Sequence, residues 1–209
     1  MSFIELVFHL LAPGRPFLMN WHIQALAYVL EQVRLGRIKR LIINLPPRFL
    51  KSHIASIALP AFALGHAPSK RIMVISYGLD LATKFTYESS MVMSSRRYKA
   101  IFPGTRLLRR NDSEIVTSRN GYRLATSIDG PLTGRGADLI VVDDPHKLSD
   151  AESDKKLEHV SRFTGTPSCR EWMTPKMAPS LLSCSGYTLM ICAARSYSIL
   201  MVGPNCGFR

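Results

Sequence analysis

Three short apolar runs constrain the fold more than any other feature of this chain: Leu41-Ile42-Ile43-Asn44-Leu45, Arg71–Tyr77 (RIMVISY) and Leu139–Val142. Each has strand length and is apolar at successive positions, so each strand must be buried on both faces. Helical patterns fall between them. Residues 18–35 put Trp21, Ala25, Val29 and Val33 on one helical face, with Asn20 as the N-cap. Lys51 to Leu64 reads as helix, with Pro60 expected to kink it or end it early. Leu79–Met93 reads as a further helix, with apolar positions at Leu81, Phe85 and Met91. Alternation of this kind predicts an α/β fold, a parallel sheet with helices on both faces. Glu114–Ser118 and Tyr122–Ser127 flank Asn120-Gly121, whose positive φ suits a tight hairpin turn, and residues 150–163 read as a charged surface helix. Residues of hydrophobic type make up 46% of the 209, enough to bury one sizeable core, and no repeat of supersecondary length is visible.

The junction Ile42–Ser52 (IINLPPRFLKS) runs strand, tight loop, Lys-Ser, helix. A nucleoside triphosphate site needs that order. Amides at the helix start meet the phosphates, the Lys51 ammonium reaches the β- and γ-phosphates, and the Ser52 hydroxyl ligates Mg²⁺. Against G-x-x-x-x-G-K-[ST], both glycine positions are leucine, Leu45 and Leu50, and a Lys-Ser pair at a helix start also serves as a plain solvated cap. About ninety residues on, the third apolar run ends in Asp143-Asp144 at a strand's C-terminal edge, where α/β sheets bind ligands. Asp143 is expected to hold Mg²⁺ directly or through water, and Asp144 to orient and deprotonate the attacking water; the bland alternative is a strand end with an Asp-Pro turn. Arg48 and Arg135, the latter in Thr133-Gly134-Arg135-Gly136, can supply transition-state charge, contact DNA phosphate, or simply be solvated. Gln24 can hydrogen-bond an adenine edge through its amide.

The net charge is +12, and its distribution is uneven. Residues 15–123 carry 18 Lys/Arg against 5 Asp/Glu, whereas 124–168 carry 5 against 8, so a basic surface for an anionic partner and an acidic site are expected to be separate. All four cysteines (Cys169, Cys184, Cys192, Cys206) lie near the end, and with no cationic leader ahead of the apolar N-terminus a reducing, cytoplasmic setting is expected. The uncharged stretch Met177–Ala194 is diluted by Pro179 and Gly186, so no membrane span is expected.

From about Trp21 to Thr166 the chain resembles the large terminase subunits of tailed bacteriophages and prophages, motors that pump DNA into capsids. The segments that carry the likeness are NWHIQA, RLIINLPPRFLKS, ISYGLDLA, IFPGTRL, GYRLATS and LTGRGADLIVVDDP. The resemblance implies a P-loop NTPase of the ASCE type and an ATPase domain over residues 1–166. Its ATP loop would comprise Pro47, Arg48, Phe49, Leu50, Lys51 and Ser52, with Arg48 as the loop arginine and Asp143 as the Walker B carboxylate. It also implies ATP and Mg²⁺ as cofactors and double-stranded DNA, a small terminase subunit and a portal protein as partners, with assembly into a homo-oligomeric ring in the bacterial host cytoplasm. Asp144 stands where the family often has Glu, and Leu50 where many members have Gly. After Thr166 neither the coupling motif nor the family's nuclease domain follows, so no nuclease activity is expected. Residues 167–209 read as a divergent tail, a frameshifted or truncated end of a prophage gene, with a genuine strand–helix element as the alternative. Competing functions are a helicase-like ATPase and a catalytically impaired remnant that only binds nucleic acid.

Overall fold

A computed structural model describes residues 1–46, 48–127, 130, 135–144, 188–193 and 199–202. Eight strands form one sheet: β1 Arg40–Asn44, β2 Arg71–Ser76, β3 Leu107–Arg110, β4 Glu114–Thr117, β5 Tyr122–Ser127, β6 Leu139–Asp143, β7 Thr188–Ala193 and β8 Ile199–Val202, in the order β3-β4-β5-β2-β6-β7-β1-β8. The three apolar runs become β1, β2 and β6. Strands β2, β5 and β6 pair in parallel, as do β1 and β8, but β7 is antiparallel to both β6 and β1, and β4 to both β3 and β5. The sheet is therefore mixed, which corrects the expectation of a parallel one. One antiparallel strand follows from the hairpin, and the other enters from residues 188–193, in the stretch read from sequence as a divergent tail.

Along the central strands, burial is continuous, as the apolar runs require. Leu41, Ile43, Ile72, Val74, Leu139 and Val141 join one cluster with residues from every described helix. The residues that alternate with them, Ile42, Met73, Ile75 and Val142, are buried on the opposite face. The helix read over 150–163 and most of the tail lie outside the described residues.

The helices are α1 Phe3–Leu11, α2 Trp21–Arg34, α3 Leu59–His66, α4 Leu79–Ser94 and α5 Arg96–Ile101. Helix α1 begins with a capping box in which the Ser2 hydroxyl accepts from the Glu5 amide and the Glu5 carboxylate from the Ser2 amide. Asn20 caps α2 as expected, but the buried face is Ile23, Leu26, Val29, Leu30 and Val33, while Trp21 is exposed. A series spaced only by four drifts about 40° per step, so Trp21 lies about 120° from Val33 and leaves the apolar stripe. Met91 is likewise exposed on α4. In the hairpin, Asn120 alone takes the positive φ (60°). Gly121 is needed for a different reason: a Cβ there would collide with the carbonyl oxygens of Pro68 and Lys70.

Pro60 does not end its helix. Residues His53–Ala58 form a π-helical segment that leads into α3, with Pro60 in the first turn of α3. Proline has no amide hydrogen and its ring crowds the carbonyl four residues earlier, here that of Ser56. The wider π turn relieves this; the Leu59 amide reaches back five residues to the Ile54 carbonyl.

Candidate functional site

Strands β1 and β6 run in the same direction, because each is antiparallel to β7. Ile43 and Asp143 are both paired with Leu189, so the two strands end level at one sheet edge. With β7 between them their backbones are about 10 Å apart. After Asn44 the chain leaves the sheet through Leu45 and Pro46; Pro47 lies outside the described residues. Arg48 and Leu50 then adopt φ of 69° and 60°. Leu50, where the phosphate-loop pattern has glycine, thus takes the left-handed conformation that glycine favours. The Ile54 amide donates to the Leu50 carbonyl at 2.9 Å, which starts the helix and puts Lys51 and Ser52 in its first turn.

Lys51 bridges the gap between the strand ends. Its ammonium, 6% exposed, donates to Asp144 Oδ1, 93 residues away in sequence, and lies 3.8 Å from Asp143 Oδ1. Asp144 has φ 45°, which an aspartate tolerates better than most residues. Asp143 is fully buried, and the Ser56 hydroxyl donates to its Oδ2 at 2.7 Å. Burial pushes the Asp143 carboxyl above the usual carboxylate range and the Asp144 charge adds to this, while Ser56, Lys51 and Ser52 pull the other way. Asp143 Oδ1 is buried and has no hydrogen-bond partner of its own.

Behind this carboxylate lies Arg123, on β5 and also fully buried. One guanidinium nitrogen donates to the Ser56 carbonyl at 3.1 Å, and the other to the Thr86 hydroxyl, which in turn donates to the Ala82 carbonyl at 3.0 Å. Arg123 thereby donates to a backbone carbonyl inside the π segment that leads into α3. Burial lowers its pKa to about 9, so it remains a cation at neutral pH.

The remaining expected site residues are spread more widely. Arg48 is exposed in the loop. The His22 ring lies 5.1 Å from that of Phe49 and brings the first turn of α2 against the loop; Gln24, in the same turn, is exposed. Arg135 is not brought together with Lys51. It pairs with Glu114 and lies 5.8 Å from the Tyr122 ring, beside the first residues of β2 and β5. That is the opposite sheet edge, about 13 Å away along β6. Glu114 is buried between Arg109 and Arg135; burial alone would raise its pKa, but the two guanidinium groups hold it below the usual range.

Ser56 and Arg123 were not legible as site residues. The available signals were Pro60, four residues after Ser56, and an arginine at an inward position of a strand. No described cluster of three or more His, Cys, Asp or Glu could hold a metal. The Asp143 carboxylate and the Ser52 hydroxyl are oxygen donors of the kind that suits Mg²⁺, an ion that keeps water and substrate phosphate oxygens as its other ligands. No family model matches the chain, and no curated protein matches it either. Among the described residues, no helix is long and apolar enough to cross a membrane.

Proposed function

We propose that the chain is an ATP-binding and ATP-hydrolysing domain of the terminase large-subunit type, a motor domain that translocates double-stranded DNA. One observation carries the reading: Lys51, from the loop after β1, meets Asp143 and Asp144 at the end of β6. In this reading the Lys51 cation, at the start of a helix, is held by anions of its own chain until a phosphate replaces them.

In this reading the triphosphate takes over the Lys51 ammonium, whose charge then lies on the β- and γ-phosphates. Asp144, released from Lys51, orients the attacking water and accepts its proton. Ser52 and the unpartnered Oδ1 of Asp143 would hold Mg²⁺, which neutralises phosphate charge when bound. Arg48 can act on phosphate within the chain, whereas Arg135, on the far edge, would serve the site of a neighbouring subunit. Arg96, Arg97, Lys99, Arg106 and Arg119 are exposed and offer DNA phosphate contacts that need no base sequence.

The test is Mg-ATP turnover with and without double-stranded DNA, repeated with Lys51→Ala. Turnover that rises with DNA and falls to background in the variant supports the reading. Wild-type turnover no higher than that of the variant would leave a chain that only binds nucleic acid.

A further inference from the structure

Asp143 is the one carboxylate of the site with no exposure to solvent, and its two oxygens are treated differently: Oδ2 takes the Ser56 hydroxyl, and Oδ1 has no hydrogen-bond partner. A carboxylate on a strand end can rotate unless one oxygen is fixed. Ser56 can fix it only if its own backbone is held, and Ser56 lies in the π segment just ahead of Pro60. Arg123 holds that backbone from behind, and the same guanidinium ties it to Thr86 on α4. Resting on the nucleotide-site reading above, we infer that Arg123 and Ser56 form a positioning pair: the guanidinium fixes the π turn, the turn fixes the Ser56 hydroxyl on Oδ2, and Asp143 Oδ1 is thereby presented to a divalent cation. Neither residue touches nucleotide.

The experiment uses the full chain and two binding measurements. Mn²⁺ binding is followed by electron paramagnetic resonance in the presence of adenylyl imidodiphosphate, and nucleotide binding without metal by the fluorescence of a mant-labelled ATP. Ser56→Ala is expected to weaken Mn²⁺ about tenfold while metal-free nucleotide binding stays within about twofold, the split typical of residues behind a metal ligand. Arg123→Met should weaken Mn²⁺ similarly, the double variant should be no weaker than Ser56→Ala by more than about twofold, and Arg123→Lys should recover part of the loss. Should Arg123→Met fail to fold, Ser56→Ala and Arg123→Lys decide. Wild-type Mn²⁺ affinity in Ser56→Ala overturns the inference and leaves the nucleotide site standing. Absence of nucleotide binding by the wild type, with and without metal, overturns the nucleotide reading and this inference with it.

Discussion

In α register the Ser56 carbonyl would face the amide of residue 60, which proline lacks, and Arg123 donates to that carbonyl; a double-mutant cycle tests whether the guanidinium stands in for the missing amide. Arg123→Met keeps a long apolar side chain but removes the donor to the buried Ser56 carbonyl, at a cost of about 1–3 kcal/mol, and the bond to Thr86, worth about 1 kcal/mol. Relief of a buried cation offsets part of this, so the single-variant cost is a broad figure, about 1–3 kcal/mol. The coupling is sharper. Pro60→Ala in the wild type should change stability by no more than about 0.5 kcal/mol, because the Ser56 carbonyl is already satisfied and proline is tolerated in a first turn. In the Arg123→Met background, the restored amide at position 60 can bond Ser56 directly and should return about 1–2 kcal/mol. Urea unfolding of the four proteins reads this as a midpoint shift of about 0.5–1 M present in one background only, with constant slope. Equal effects of Pro60→Ala in both backgrounds, within the roughly 0.3–0.5 kcal/mol of ordinary additivity, would refute the claim that the guanidinium stands in for the missing amide.

Two further outcomes follow from the loop and from the far edge of the sheet. Leu50→Gly should be more stable than Leu50→Ala by about 1 kcal/mol in thermal or denaturant unfolding, because both lose the same packing and only alanine keeps a side chain at φ 60°; the usual order, alanine above glycine, would show that the left-handed turn is absent in solution. The lowered pKa of Glu114 means that its ionised form is favoured by folding, so its contribution is complete above the ordinary glutamate range and is lost as pH falls below that range. The melting temperature of Glu114→Gln should therefore fall less than that of the wild type over the same acid range, and parallel curves would contradict the pairing with Arg109 and Arg135.

The strands of the centre were legible because burial on both faces leaves an unbroken apolar run, and Leu41–Leu45 and Leu139–Val142 each fall within a residue of the observed ends. Lys51 and Asp143 were legible for a related reason: each follows such a run, and parallel strands bring their C-terminal ends to one edge. The α2 face was misread because spacing by four alone ignores the rotation that accumulates along a helix. Helix α1 was passed over, although Ser2 and Glu5 spell a capping box. Ser56 and Arg123 carry no local signature. Their roles depend on a proline that opens a helix and on a strand from elsewhere in the chain that fills the gap, so they emerge only when both are placed. The strands at 188–193 and 199–202 were hidden in a stretch with no clear period.

Arg40 on β1 is paired with Cys192 on β7, and Ile140 on β6 is paired with the same residue. A ribosome adding about 5–20 residues per second takes roughly ten to thirty seconds between the two ends of the β1–β7 ladder. For that interval β1, and for roughly the last three to ten seconds of it β6, present an open, apolar edge, the kind of surface that invites pairing with other chains. Closure comes late and in one stroke, since the strand that covers both edges also brings the loop of Lys51 level with Asp143. The strand ends that carry Lys51 and Asp143 are therefore joined only after β7 has been made.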